Sequence, residues 1–600
     1  MAATGTAQTP GKPRSLPQRW VLAEPHPAEA DALAKAAHLP HVLAELLLAR
    51  GVATPEAAFA FLNPESAQLH DPLRMLGMSA AVARLERAIA ARETILLYGD
   101  YDVDGTTAVV LLKTAIEMLG GIVRFHVPHR IREGYGLQSS VLESAYADGV
   151  RLVITVDTGM RAFAEAETAR RLGLDLIITD HHLPDAQDEL PAALAILNPN
   201  QPGCGYPEKS LCGAAIALKL AQALLERRDP ERCREKILPS FLKMAAIATI
   251  ADAVPLRGEN RVIAALGLRA LRRPAGVGLR ALFAAAQLDP ASKAITGFDV
   301  AFRLAPRINA AGRMDVASEV IELFTTRDAP RAAELAQKLE RLNRERRDTE
   351  AGVLRIIEER LAADEALAAE RLLILDGDGW HRGVIGILAS RVVERTAKPA
   401  IVVGIEDGVA HGSGRSVDGF PLLEAIETCS DLFTRFGGHA FAVGFALPAD
   451  RLAELKRRLS DHAAERLALR KPERVLHVHA ELPLNRITLT LAGWLRKLEP
   501  LGHGNPEPIF VARNVRLLAA VRIMKERHIR IDLAQTEAPA ARPGGSGSMR
   551  AVGWDLAARA AELGLAEGSR VDVAYRIREN DHPEYGGIEI ELAGIEPADK

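Results

Sequence analysis

The chain has 600 residues, of which 48% are hydrophobic and 26% charged, and its 75 basic and 78 acidic side chains leave a net charge of −3. This length exceeds one ordinary core and predicts three or four domains, while the balance excludes a disordered or collagen-like chain. No stretch approaches the roughly eighteen consecutive apolar residues of a membrane-spanning helix, no secretory signal opens the chain, and four cysteines without a CxxC pair fit a reducing cytoplasm.

In chain order, residues 1–45 read as a partly disordered leader, polar and punctuated by proline at its start. Ala/Leu/Arg-rich periodicity up to about residue 92 predicts helices at the head of a first domain, 46–325. Within it the short apolar runs Thr94–Tyr98, Arg151–Val156 and Leu174–Thr179 alternate with helical stretches such as Thr107–Leu119 and Arg161–Leu172. That is the pattern of βαβ units around a parallel sheet, whose ligands collect beyond the carboxyl ends of the strands. A charge-rich, helix-favouring stretch, 326–370, predicts a long connecting helix. Residues 371–465 form a second, smaller α/β domain, with strands at Leu372–Leu375 and Pro399–Val403 around a helical Val384–Glu394. Residues 466–600 alternate strand-like runs with Gly/Pro turns and predict a small antiparallel barrel, with a flexible loop at Ala538–Ser548.

The charge is uneven. Residues 471–550 hold thirteen basic side chains against seven acidic ones, whereas 551–600 are net −6. Taken alone this is an ordinary solvated face; beside a catalytic site it is a surface for tracking a nucleic-acid backbone.

The densest chemistry is YGDYDVDGTTA, residues 98–108, where Asp100, Asp102 and Asp104 alternate before Gly105. Such crowding is costly unless cations neutralise it, and hard oxygen ligands suit Mg²⁺ or Mn²⁺. An EF-hand would need a glutamate six residues after the glycine, where Leu111 stands, and the segment follows a strand; an acidic helix-capping turn is the other simple reading. Asp157 ends the second run and Asp180-His181-His182 follows the third, while Asp252 follows the apolar stretch before it. Each acid alone is weak, but carboxylates and imidazoles together at one sheet edge are a metal-site signal, and two divalent ions are a common means of hydrolysing a phosphoester. No P-loop, G-x-S-x-G elbow or kinase signature is present.

The series YGDYDVDGTT, VDTG, TDHH and ADAVPL resembles the DHH phosphoesterase superfamily. With LNPNQPGCGYPEKSLCGAA at 197–215 and RINAAGRMD at 307–315, it is most similar to the RecJ branch, the single-strand-specific 5′→3′ DNA exonucleases. Downstream, GDGWHRGVIGILASRV, GSGRS and FGGHAFAVGF resemble a DHHA1 phosphate-binding domain, and LGHGNPEPIF resembles a segment of the RecJ OB domain. The resemblance implies catalysis by Asp102, Asp104, Asp157, His181, His182 and Asp252. It implies two divalent ions, Mn²⁺ or Mg²⁺, on Asp100, Asp102, Asp104, Asp157 as bridge, His181 and Asp252, with His182 as a ligand or an orienting group. Tyr98 departs from the superfamily, where a histidine ligand often opens the first motif, and Asp100 is the candidate replacement.

Candidates for holding phosphate are Arg130, Arg307, Asn309, Arg313, Ser413, Arg415, Gly437, Gly438 and His439, since arginine offers a planar fork and glycine lets backbone amides approach. Each arginine has a surface ion pair as its simpler reading, and the two glycines a turn. With 4% aromatic residues, strand tracking falls to Arg513, Arg516, Arg522, Lys525, Arg527 and Arg530, a basic face that predicts salt-sensitive, sequence-tolerant binding. The expected activity is release of 5′-mononucleotides from single-stranded DNA in recombination and repair, by a cytoplasmic monomer. By family resemblance its partners are a RecQ-type helicase and single-strand-binding protein. The competing readings are a small-substrate phosphodiesterase or pyrophosphatase and a non-catalytic DNA-binding scaffold.

Overall fold

The computed structural model describes residues 18–129, 133–134, 136–185, 189–273, 276–314, 317–535, 548–580 and 587–598. These form two compact units. One is Phe59–Gly352 with Leu498–Pro506; the other comprises the described residues up to Ala58, Val353–Lys497 and those from Glu507 onward. No described helix is long and apolar enough to cross a membrane.

The first unit is built on five parallel strands in the order Ile122–His126, Thr94–Gly99, Leu152–Val156, Asp175–Thr179, Ala195–Leu197. A parallel sheet is covered on both faces, so its central strands are apolar runs rather than alternating ones. Alternate side chains part into two cores. Ile95, Leu97, Ile154 and Val156 join the core that holds helices Val103–Met118, Gly213–Arg228 and Leu238–Ala251, while Leu96, Tyr98, Val153 and Ile178 join the one with Leu142 and Ala166 of the helices Ser139–Ala147 and Phe163–Leu172. The expected parallel sheet is therefore present, with the acidic loops at its carboxyl edge.

Leu498–Pro506 belongs to this unit, although its motif reads as part of the barrel domain. Buried Arg261 accounts for the difference: its guanidinium donates to the carbonyls of Leu498 and Glu499 at 2.8 and 2.9 Å and to that of Phe61 at 2.9 Å. The side chain of Asn505 ties the same turn by donating to the carbonyls of Leu498 and Pro500, each at 2.8 Å.

The connecting helix runs over Ala329–Ala363, inside the expected 326–370, and the units divide within it. The second unit contains a five-stranded mixed sheet, in the order Arg435–His439, Ala442–Pro448, Val409–Arg415, Ala400–Glu406, Leu373–Asp378; only its last two strands run parallel. A further sheet of this unit closes on itself through Phe510–Leu517, Arg570–Asn580, Gly587–Pro597, Ser548–Gly553 and His528–Gln535, the last pairing back to the first. This is the expected small barrel, with one correction. Ser548–Gly553 and Gly587–Pro597 pair in parallel, so the barrel is not wholly antiparallel.

The leader expectation also needs correction. Residues 1–17 and most of the expected loop at Ala538–Ser548 lie outside the described residues, but within the expected leader the residues from Gln18 onward form regular structure. Gln18–Leu22 pairs in parallel with Arg474–Val478, and helices Pro27–Ala37 and His41–Leu48 follow, burying Leu33, Leu43, Leu46 and Leu47. Pro27 opens the first of these helices and Pro40 caps the second, positions where the missing N–H is not needed.

Candidate metal centre

Four chain segments meet beyond the sheet's carboxyl edge. Thr94–Gly99 delivers the loop carrying Asp100 and Asp102, and helix Val103–Met118 begins directly after it. Asp102 caps that helix, its Oδ1 accepting the Gly105 N–H at 3.0 Å. Gly105 is dictated by space, because a Cβ there would lie 2.5 Å from the Asp100 carbonyl oxygen. The acidic turn is thus a helix cap and part of the cluster at once.

Asp104 points the other way along the same turn, to the start of helix Gly213–Arg228. Its two oxygens accept the Gly213 and Ala214 N–H groups at 2.6 and 2.8 Å, where the helix macrodipole favours an anion. A Cβ on Gly213 would sit 2.7 Å from Asp157 Cβ and 3.0 Å from Asp104 Oδ2, so only glycine lets this helix end approach both acids. Asp157, directly after Leu152–Val156, takes a left-handed φ of 60° that turns the chain away from the strand.

His181 brings the segments together. Its Nε2 lies 3.2 Å from Asp157 Oδ1 and 3.8 Å from both Asp104 Oδ2 and Asp252 Oδ2. Ligand atoms lie within 4.8 Å of one another in three sets: Asp104, His181 and Asp252; Asp157, His181 and His182; Asp100, Asp102 and Asp157. All seven expected residues are therefore in one cluster, and Asp157 and His181 each belong to two sets. Tyr98 belongs to none. Its buried hydroxyl donates to the Gly136 carbonyl at 2.9 Å, so that the first-motif position is occupied by a core side chain, while Asp100 stands in a ligand set.

The electrostatics fit a cation. Burial, and then Asp104, Asp102, Asp100 and Asp252, push the Asp157 carboxyl well above the usual range. Burial, then Asp104 and Asp102, push Asp252 up to about 8, and Asp102 is likewise raised by burial and by Asp104. Asp157 Oδ1 is buried and accepts no hydrogen bond among the described residues. Crowded carboxylates with an unsatisfied oxygen beside an imidazole are a donor set for hard divalent ions.

Asp180 is visible in the TDHH motif, but the frame it builds behind the histidines is not. Asp180 is buried; its Oδ1 lies 2.7 Å from His182 Nδ1 and accepts the His181 N–H at 2.8 Å, while Oδ2 accepts the Met160 N–H at 2.8 Å. Burial alone would raise Asp180 and depress His182. Their mutual hydrogen bond wins, lowering Asp180 and lifting His182 to about 9. Asn198 and Asn200 donate to the His182 and His181 carbonyls at 2.8 and 3.1 Å. The signal was present as N-x-N directly after a short strand, the position where side-chain amides hold neighbouring backbone.

The phosphate candidates divide. Asn309 Oδ1 accepts the Val103 N–H at 3.1 Å, and the same helix makes its close approach at Gly312, where a Cβ would lie 2.3 Å from the Tyr101 carbonyl oxygen; Asn309 therefore positions the acidic loop. Arg307 is corrected from an open phosphate fork to a helix link, paired with Glu340 of the connecting helix at 2.7 Å. Arg313 is half-buried in this unit, and Arg130 lies outside the described residues.

In the other unit, Gly437 and Ser413 both register with Gly444, and His439 and Arg415 both register with Ala442. Opposed residues share a sheet face, so Ser413, Arg415, Gly437 and His439 lie on one face, while Gly438 takes a φ of 145° between the last two. Gly437 and Gly438 are in a strand, not a turn. The Arg415 guanidinium donates to Ser413 Oγ at 3.3 Å and to the Gly414 carbonyl at 2.8 Å, meets no carboxylate among the described residues, and has its pKa lowered by burial.

The basic barrel face is narrower than expected. Arg513 is paired with Asp572 and Arg527 with Asp555, each at 3.0 Å. Arg516, Arg522 and Lys525 are exposed and meet no acid among the described residues, and Arg530 stands opposite Arg522 across the strand pair.

Residues 94–249 match the model of the DHH family N-terminal domain, 364–465 that of the DHHA1 domain and 478–593 that of the RecJ OB domain. Sheet, site and barrel together define a DHH-class protein with DHHA1 and OB domains. The single-stranded-DNA-specific exonuclease RecJ of Bacillus subtilis (strain 168) is 36% identical over 569 residues, 94% of this chain and 69% of that protein. Its counterpart from Escherichia coli (strain K12) is 36% identical over 520 residues, 82% of this chain and 87% of the relative. A crystal structure of RecJ with Mn²⁺ from Thermus thermophilus superimposes with a TM-score of 0.80 at 29% identity, covering 97% of this chain and 80% of that one. The chain belongs to the RecJ family of exonucleases.

Proposed function

We propose that the chain hydrolyses single-stranded DNA from the 5′ end and releases 5′-mononucleotides, in recombination and repair. The observation that carries this is the convergence of Asp104, Asp157 and Asp252 on His181 Nε2 at 3.2–3.8 Å. Asp100, Asp102, Asp104, Asp157, His181 and Asp252 would hold two divalent ions, Mn²⁺ or Mg²⁺, with Asp157 in the shared position. Such ions supply the positive charge that acidifies an attacking water and offsets charge growing on the phosphoryl oxygens. Asp104, anchored on two backbone amides, fixes the site's depth. His182, held at Nδ1 by Asp180, is an orienting group beside the same cluster. Asn198 and Asn200 hold both histidines in register.

The polarity reading rests on Ser413 and Arg415. A guanidinium without a carboxylate partner among the described residues, on a face shared with Gly437 and His439, is suited to a terminal 5′ phosphate. Arg415→Ala is expected to slow 5′-phosphorylated strands about ten- to a hundredfold in single-turnover assays, and to narrow their advantage over 5′-hydroxyl strands. Equal slowing of both would remove Arg415 from end recognition.

The barrel's Arg516, Arg522 and Lys525 track the strand backbone in this reading. The chain acts as a cytoplasmic monomer, with a RecQ-type helicase and single-strand-binding protein as partners. The single-strand specificity is supported by its relatives, which are single-stranded-DNA-specific exonucleases.

A further inference from the structure

The register that places Ser413, Arg415, Gly437 and His439 on one sheet face runs on past them. His411 and Arg435 both register with buried Ala446, and His411 also with Gly404. Residues two apart on a strand share a face and stand about 7 Å apart. His411 and Arg435 therefore form the next row beyond Ser413 and Gly437. At the Ser413 row the floor is open, since a Cβ on Gly437 or Gly444 would meet nothing within 4 Å. Helix Arg382–Thr396 walls one side: a Cβ on its Gly386 would lie 3.1 Å from Ser413 Oγ and 3.4 Å from Arg415 Nη2.

The charges of this outer row leave it positive. Burial, then Arg382 and Arg435, hold the His411 imidazole below its ordinary range, so it stands neutral beside two guanidiniums. Glu406, one row further out and opposite Val409, is paired with Arg382 at 3.1 Å, and Asp407 lies beyond it in the hairpin turn. Asp376 and Asp378 register with Val403 and Ile405 and so belong to the opposite face, where Asp376 is paired with Lys456 at 2.6 Å. Arg435 is exposed and meets no carboxylate among the described residues. An exposed arginine alone is an ordinary solvated charge. In register with a neutral imidazole, and beside an open glycine floor that leads to Arg415, it completes a path for an extended anion.

We propose that His411 and Arg435 form a second anion subsite, which takes the outer phosphoryl groups of a DNA strand whose 5′ end is a triphosphate. The inference rests on the reading of Ser413 and Arg415 as the seat of the 5′ phosphate, and it widens the substrate class of that site. With the first phosphoryl group at Ser413 and Arg415, the second and third lie along the open floor, where the Arg435 fork and the His411 N–H donate to them. The cleavage step is unchanged. Water adds its hydroxyl to the phosphorus between the first and second nucleotides, the bond to the first nucleotide's O3′ breaks, and that oxygen takes the remaining proton. The first product is then an intact nucleoside 5′-triphosphate, and the shortened strand carries a 5′-monophosphate.

The test is single-turnover digestion by the full chain of one labelled oligodeoxynucleotide bearing a 5′-triphosphate, a 5′-monophosphate or a 5′-hydroxyl, with the first product resolved by chromatography. Wild type should cut the triphosphate strand at least as fast as the hydroxyl strand and release the nucleoside triphosphate intact. Arg435→Ala with His411→Ala should slow the triphosphate strand about tenfold or more while the monophosphate strand stays within about twofold of wild type, which also reports that the variant is folded. Arg435→Glu, a change on an exposed side chain, should act in the same direction. If wild type cuts the monophosphate strand but refuses the triphosphate strand, or releases pyrophosphate and a nucleoside monophosphate from it, the proposal is wrong and the reading of Ser413 and Arg415 stands. Equal rates on all three ends would remove that reading and the proposal with it. Variants that slow the monophosphate and triphosphate strands equally would make the row a contact for the strand itself and overturn the proposal.

Discussion

At the scale of single residues the centre is a balance between crowding and support. Asp252 is pushed from 3.8 to about 8 by burial and by its acidic neighbours. Between those values the folded, metal-free protein keeps a proton that the unfolded chain has released, so stability falls as pH rises through that window. In chelator, wild type is expected to lose more thermal stability across the window than Asp252→Asn, and added Mn²⁺ should restore most at the alkaline end. Parallel pH slopes for the two proteins in calorimetry would show Asp252 ionised throughout. Asp100, Asp102, Asp104, Asp157, His181, His182 and Asp252 were all legible in the sequence, because these acids and imidazoles follow apolar runs, which end as strands at Gly99, Val156 and Thr179 and as a helix at Ala251. The ion pair of Arg307 with Glu340 was not, since nothing local to RINAAGRMD tells which acid a distant helix will present.

At the scale of elements, the histidines act through backbone held from outside their own loop. Asn200 donates to the His181 carbonyl at 3.1 Å, and its own N–H is held by Asn198 Oδ1 at 2.8 Å. Asn200→Ala is expected to reduce metal affinity or turnover about ten- to a hundredfold while moving thermal stability little, since outer supports of ligands cost that much when removed. Titration of Mn²⁺ followed by calorimetry separates the two effects, and unchanged affinity and turnover would make Asn200 a purely local turn residue. The sheet was readable from its apolar runs. The helix end at Gly213 was not read as part of the site, because CGAA carries no charge and its role depends on a close approach that only the fold creates.

On the scale of the whole molecule, each unit carries a different kind of chemistry: acids and imidazoles in one, and in the other exposed cations and a guanidinium that meets no carboxylate among the described residues. Reversing Arg516, Arg522 and Lys525 to glutamate is expected to weaken binding of long strands and reduce the salt-dependence slope by about 2, at roughly 0.7 per lost phosphate contact on single strands. Hydrolysis of very short strands should hardly change; an equal loss on both would show that these cations do not track the strand. The barrel's existence was legible from Gly/Pro-punctuated strand runs, but its membership was not. Leu498–Pro506 looks like barrel sequence and packs in the sheet unit because Arg261, far away in the chain, takes its carbonyls.

Asp157 and His181 each stand in two ligand sets of the proposed metal-dependent hydrolytic centre. The most direct measurement is digestion of end-labelled single and double strands by wild type and Asp157→Ala, in Mn²⁺ and in chelator, with strand binding followed in parallel. Wild type should release mononucleotides from the 5′ end of single strands only, and only with metal. Asp157→Ala should lose at least about a hundredfold in rate at saturating metal while still binding the strand. Release that survives chelator, or a variant keeping more than about a tenth of the wild-type rate, would contradict the centre described here.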